Sequence, residues 1–360
     1  MKKTPFFDIH TQLGAKISLF GGYQMPIQYS GVKEEHLAVR KNLGVFDVSH
    51  MGEFWVEGPN AFKLLQFICS NDISKLTPGK AQYNYLPNQD GGVVDDLIVY
   101  QIQDEKYLLV VNASNIKKDW NHIVEHNKKF NARLDDASEK TGLLAIQGPK
   151  AIAATQSICE AKLNQLSHYS HVNTVFAGVE NVMVATTGYT GAGGIEIYFD
   201  VKEAEKIWNE VMVAGADYGV LPVGLAARDS LRLEMGYCLY GNEIDDQTSP
   251  ISAGLGWVTK PHTGFLNAAI HQKSMLEGTS EKLVGFQIDD RGIPRAGYLL
   301  FDTAENPIGR VTSGTHSPSL NKGIGLGYVK ADCSQPGKKI SVKVREKFVP
   351  ATVVKLPFVK

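Results

Sequence analysis

The alternation of apolar and polar positions divides the chain into stretches of different period. Over 32–43 it predicts a helix, with Leu37, Val39 and Leu43 on its apolar stripe and Gly44 as its stop. From 52 to about 136 it predicts a strand over 53–57, a helix over 60–70 entered after Pro59, a strand near Tyr83, strands over 93–102 and 106–112, and a helix capped by Ser114. Strands around LLAIQG and NVMVATTGY follow, with a short helix opened by Pro149, and then helices over 202–217 and 223–235. From about 282 onward, LVGFQI, AGYLLF, GIGLGYV and KISVKV alternate with Gly, Pro and Asn turns, which predicts a small all-β barrel. The polar stretch 262–281 reads as the boundary before it. Hairpins and helices without a βαβ alternation predict an α+β fold.

Three places break the pattern. In GGVVDDLIVY, 91–100, two acids sit inside a strand: Asp96 shares a face with Ile98 and Tyr100, and Asp95 shares the other with aliphatic residues. Uncompensated burial of a carboxylate costs several kcal/mol. A turn cap, an arginine partner or a ligand would each satisfy it. Asn112 joins the Asp96 face only if the connection between the two strands has an odd number of residues. In GYTGAGGIEIYFD, 188–200, a glycine loop leads into a strand with Ile195, Ile197 and Phe199 on one face and Glu196, Tyr198 and Asp200 on the other. That pattern by itself fits a half-exposed strand with a solvated acid; against that reading, the glycines let a ligand approach the backbone closely. In PVGLAARDSLRLEMGY, Arg228 lies on the stripe of Leu225, Leu231 and Met235, so its guanidinium needs a structural carboxylate or a ligand group.

Composition narrows the classes. A chain of 360 residues exceeds one growing core, so two or three domains are expected. With 37 basic and 38 acidic residues, charge gives no support for a nucleic-acid or membrane-surface partner. Cys69, Cys159, Cys238 and Cys333 lie far apart without a CxxC pair, which predicts free thiols in a reducing compartment. MKKTPFFDIH lacks the apolar run of a signal peptide, and no stretch reaches the ~20 apolar residues of a membrane span, so a cytoplasmic protein is expected. His122, Glu125 and His126 match H-x-x-E-H, but they flank the stripe of Trp120, Ile123 and Val124 toward solvent, and no metal site is expected.

Taken together, FDVSHMGEF (46–54), GGVVDDLIVY, LLAIQGPKA (143–151), GYTG followed by GIE, ARDSLRLEMGYCLYGNEID (227–245) and IGRVTSGTHSPSL (308–320) resemble the glycine cleavage system T-protein family of aminomethyltransferases, nearly end to end and in order. The resemblance implies three domains in a cloverleaf around a central folate-binding opening: 1–51 with 138–280 as a discontinuous folate-binding domain, 52–137 as a ferredoxin-like insertion, and 281–360 as the C-terminal β-barrel. It implies transfer of the methylene carbon from the aminomethyl-lipoyl arm of H protein to tetrahydrofolate as co-substrate, with release of ammonia and without a metal. It places the essential carboxylate on Asp96, folate-contacting tyrosines on Tyr83 and Tyr100, the pterin-binding glutamate on Glu196 and the ligand-binding arginine on Arg228. Met51, Asn112, Tyr189 and Tyr237 are its further contact positions. One departure is that relatives often carry acids in the loop after GYTG, where this chain has Ala192 and Gly193. A non-catalytic folate-binding assembly or repair factor of the same superfamily is the alternative, but such proteins typically carry K-G-C-Y-x-G-Q-E. Here Met235-Gly-Tyr-Cys-Leu-Tyr-Gly-Asn-Glu243 lacks the lysine and the glutamine. A demethylating oxidase subunit would need a flavin domain or partner.

Overall fold

A computed structural model describes residues 1–360 as two units, the first made of Met1–Leu65, Ile73–Asn84 and Leu97–Asp229, the second of Gln66–Asp72, Tyr85–Asp96 and Ser230–Lys360. In the first, a six-stranded sheet runs in the order His171–Phe176, Val179–Ala185, Gly194–Asp200, Thr141–Gln147, Leu43–Asp47, Val220–Pro222. Neighbours are antiparallel except the last pair. Strand alternation sets its inner face, as the sequence predicts: Ile195, Ile197 and Phe199 pack with Leu144, Ile146 and Val45. The helix Ala204–Gly215 covers them through Ile207, Trp208 and Val211.

The predicted hairpin forms from Val93–Gln103 and Lys106–Val111, within a five-stranded sheet ordered Lys80–Pro87, Val93–Gln103, Lys106–Val111, Gly52–Glu57, Arg133–Asp136. Its register slips by one between Gln101 and Gln103. Ile98 therefore stands opposite Val110, and Asn112, two positions further, takes the face of Ile98 and Tyr100.

In the second unit the predicted barrel closes: Glu281–Ile288, Lys322–Lys330, Pro307–Ser317, Leu299–Phe301, Lys339–Val344 and Lys347–Val354, the last pairing back onto the first. Phe286, Ile288, Leu300, Val311, Ile340, Val342 and Val353 fill it, one from every second strand position.

Local details differ from the pattern. The stretch 262–281, given no element by the pattern, contains the helix Ala268–Glu277. Its apolar residues Ile270, Met275 and Leu276 face outward, so no apolar stripe advertises it, and it is held by His271, buried against the rings of Tyr85 and Phe265. Ser114 does not cap the following helix; a single turn, Ala113–Asn115, precedes it and Asn115 takes the cap position at Ile116. The first thirty residues, left without strands by the pattern, form a small sheet ordered Lys2–Lys3, Tyr23–Gln28, Lys16–Phe20, whose last strand is largely exposed and carries little burial signal.

Candidate active site

Glu196 is the centre of the first unit's site, and register explains why it has room. On its sheet it stands between Ala145 on one neighbouring strand and Ala185 on the other, so two methyl groups flank the carboxylate and leave space above it. The glycine loop before it is tied down. The Gln147 amide donates to the carbonyls of Thr187 and Ile195 and accepts from the Thr190 hydroxyl, and Arg40 Nη1 donates to Thr190 O. Gly194, at φ +121°, brings the chain against Ile146, where a Cβ would lie 2.2 Å from its carbonyl oxygen.

The half-buried Glu196 carboxylate accepts a 2.5 Å hydrogen bond from Thr187 Oγ1. Thr187 Oγ1 is 2.9 Å from the Tyr100 hydroxyl, which is 3.0 Å from that of Tyr198. Burial pushes the Glu196 carboxyl up; the Thr187 hydrogen bond and the Arg228 charge pull it back. Arg228, on the helix Leu225–Glu234, lays its guanidinium 4.8 Å over the Tyr189 ring, and its buried Nη1 has no hydrogen-bond partner. A buried guanidinium nitrogen in this state fits an acceptor brought by a ligand.

The end of the strand Leu43–Asp47 and the turn after it supply a second group of residues. Asp47 Oδ1 accepts from Ser49 N, while its Oδ2 meets His10 Nε2 at 2.9 Å, and His10 Nδ1 in turn meets the Tyr29 hydroxyl. Next to it His50 stands edge-on to Phe20 and Tyr23, with its buried Nδ1 unpartnered. Burial pushes its pKa down from 6.5 to about 4, Asp47 opposing and Arg228 assisting, so the ring is neutral at pH 7. The folded state thus binds fewer protons than the unfolded chain between those two values. His50 therefore gives its full contribution above about pH 6.5, and its contribution is lost as the pH falls toward 4, on the order of 3 kcal/mol. Urea unfolding across pH 7 to 4.5 is expected to show a falling midpoint, with a shallower fall in His50→Gln; identical slopes would remove His50 as a cause.

Of the residues the resemblance implies, Met51, Tyr83, Asn112 and Tyr189 are half-buried in the first unit with Glu196 and Arg228. Tyr100 is there too but 0% exposed, with its hydroxyl engaged behind Glu196. Asp96 and Tyr237 belong to the second unit. There the GGVVDD strand is pinned by its glycines and Asn88. Asn88 Oδ1 accepts from Asp90 N and Gly92 N, its Nδ2 donates to Asp246 O, and Val93 N donates to Asp245 O. A Cβ on Gly92 would stand 1.9 Å from the Asp246 carbonyl oxygen. Asp95 is fully buried; Asp96 is half-buried, and Tyr237 is exposed. Burial, and then the charges of Glu243 and Asp96, push the Cys238 thiol well up, so it stays protonated and is no nucleophile.

Sequence reasoning missed Thr187, Tyr198, His10, Tyr29 and His50. A signal existed for Tyr198, which alternation places on the Glu196 face. None existed for His10, which finds Asp47 only across 37 positions of chain.

Residues 6–263 match the family described as GCVT N-terminal domain, and 281–360 match the Glycine cleavage T-protein C-terminal barrel domain. Among curated relatives, an aminomethyltransferase of Bacteroides fragilis is 54% identical over 362 residues, covering 100% of both chains. One of Flavobacterium psychrophilum is 54% identical over 360 residues, again covering 100% of both. Among solved structures, the glycine cleavage system aminomethyltransferase T from Bartonella henselae superposes with a TM-score of 0.93 at 35% identity, over 99% of this chain and 98% of that one.

Proposed function

This chain belongs to the glycine cleavage T-protein family and is a folate-dependent aminomethyltransferase; from that premise we propose that Glu196 and Arg228 hold the folate while Asp96 steadies the carbon in transfer. The donor is the aminomethyl group on the dihydrolipoyl arm of H protein. Its carbon–sulfur bond breaks and the thiol is restored, the carbon forms bonds to the two folate nitrogens as 5,10-methylene-tetrahydrofolate, and ammonia leaves. Cationic iminium character develops on that carbon along the way. Asp96 acts first as a fixed negative charge that stabilises it and second as a base.

Glu196 accepts from the pterin N–H donors, with Ala145 and Ala185 leaving room for a flat ring. Arg228 Nη1, unpartnered and buried, takes a carbonyl or carboxylate oxygen of the ligand. This pairing of an oriented acceptor with an unsatisfied donor on facing elements is the observation that carries the reading. Met51, Tyr83, Asn112, Tyr189 and Tyr237 are assigned to the folate or lipoyl path. No helix is long and apolar enough to cross a membrane, and no group of three or more His, Cys, Asp or Glu is placed to hold a metal ion.

Ammonia release from aminomethylated H protein, with and without tetrahydrofolate, tests the reaction. Release that depends on tetrahydrofolate and yields the methylene product is expected; folate binding without release would assign the chain to a non-catalytic factor. Glu196→Ala is expected to weaken tetrahydrofolate binding by about 10- to 100-fold, the loss of a hydrogen bond to a charged group. A titration at wild-type affinity would remove Glu196 from the site.

A further inference from the structure

The hydroxyls behind Glu196 form a chain whose direction is fixed by counting protons. An ionised carboxylate has none, so Thr187 donates its single proton to Glu196 Oε2 across 2.5 Å. Thr187 Oγ1 then accepts, 2.9 Å away, from the Tyr100 hydroxyl. The Tyr100 oxygen, its own proton committed, accepts from Tyr198 at 3.0 Å. All three residues are buried. The reverse order fails. If Glu196 carried the proton and donated into the chain, the last proton would sit on Tyr198, which has no acceptor beyond Tyr100. We propose that Thr187 directly, and Tyr198 through Tyr100, are positioning residues that hold Glu196 as an ionised, acceptor-only group and so restrict its ligand to one presenting hydrogen-bond donors, and no acceptor, at that spot.

The groups facing this chain favour that polarity. Arg228 and Tyr189 stand on the ligand side, Arg228 supporting the Glu196 charge. The His171 ring packs edge-on to Tyr100 with Nε2 committed to Gln101 O, and burial keeps it neutral. Burial first, with the Glu196 charge assisting, holds both phenols protonated, with smaller contributions from Tyr169 at Tyr100 and from the buried Glu53 at Tyr198. Chain cooperativity lets the distant Tyr198 act on the Thr187 bond.

The inference rests on the reading of Glu196 as the pterin acceptor, and the test separates the two. In the ligand-free protein, selective 13C labelling of glutamate carboxyls, with Glu196→Gln to assign the signal, reads the Glu196 titration directly. Thr187→Val is expected to raise its midpoint and to weaken tetrahydrofolate binding about tenfold at pH 7, a penalty that shrinks as the pH rises. Tyr198→Phe should move both in the same direction by less, and Thr187→Ser should restore both. A merely structural role would alter affinity without moving the titration. A midpoint unmoved in Tyr198→Phe and in folded Thr187→Val overturns the proposal, even with Glu196→Ala still defective in binding. Wild-type folate affinity in Glu196→Ala would instead sink the pterin reading, leaving the titration result to stand by itself.

Discussion

Replacing Asp96 by asparagine is expected to lower turnover by roughly 10²- to 10³-fold while leaving tetrahydrofolate affinity within a few-fold of wild type. The reasoning is electrostatic. At ~4 Å and an effective dielectric near 20, a carboxylate attracts a developing unit positive charge by ~4 kcal/mol, on the order of a thousandfold in rate. Asparagine keeps the volume and one oxygen and removes the charge, so the loss falls on the transition state, where positive character appears, and spares ground-state binding. The setting of the strand supports assigning this to Asp96 and not to its neighbour. Asp95 is fully buried, with its charge felt by Tyr240, whereas Asp96 is half-buried and felt by Cys238. Asp95→Asn should therefore register in unfolding midpoints and leave single-turnover ammonia release nearly intact. Unchanged release in Asp96→Asn, with the variant folded, would take Asp96 out of the mechanism.

What the sequence disclosed and what it hid divide along the range of the interactions. Periods of two and 3.6 are local, so the barrel strands, the helix carrying Arg228 and the inward face of Ile195, Ile197 and Phe199 could be read directly. Register is not local. That Ala145 and Ala185 flank Glu196 depends on which strands pair and at what offset, and neither alanine announces itself. Nor could the pattern foresee that Tyr100 would be enclosed with its hydroxyl spent on Thr187, since a tyrosine on the Asp96 face reads equally as a wall for a ligand. The helix Ala268–Glu277 escaped for a physical reason, because its outward apolar residues give no stripe. The longest motif was informative in an unforeseen way. In ARDSLRLEMGYCLYGNEID, Arg232, Glu234 and Glu243 serve the interior of the second unit, so much of that string reports packing and not chemistry.

The largest loss of stability is expected from breaking that interior network at Arg232. It is the bulkiest fully enclosed side chain, with 1% of its surface exposed, and its Nη1 donates to Glu243 Oε2 at 2.8 Å and to Tyr237 O, its Nη2 to Ser313 Oγ. Glu243 uses its remaining capacity on Leu239 N and the Thr312 hydroxyl, and its backbone carbonyl accepts from Tyr328. Both charges are thus held by several hydrogen bonds besides the one between them, the condition under which a buried pair repays its desolvation. Removing one member leaves the other charged and uncompensated: Arg232→Met should cost about 3–5 kcal/mol, and Glu243→Leu a similar amount. The double variant should cost less than the sum, because neither orphaned charge remains, and the coupling read from such a cycle is the part belonging to the pair. Barrel strand Pro307–Ser317, which holds Thr312, Ser313 and the Glu234 partner Ser317, should lose hydrogen-exchange protection in the single variants before the rest of the chain does. Additive costs with uniform loss of protection would mean that the two charges are stabilised separately, by their backbone and hydroxyl partners, and not by each other.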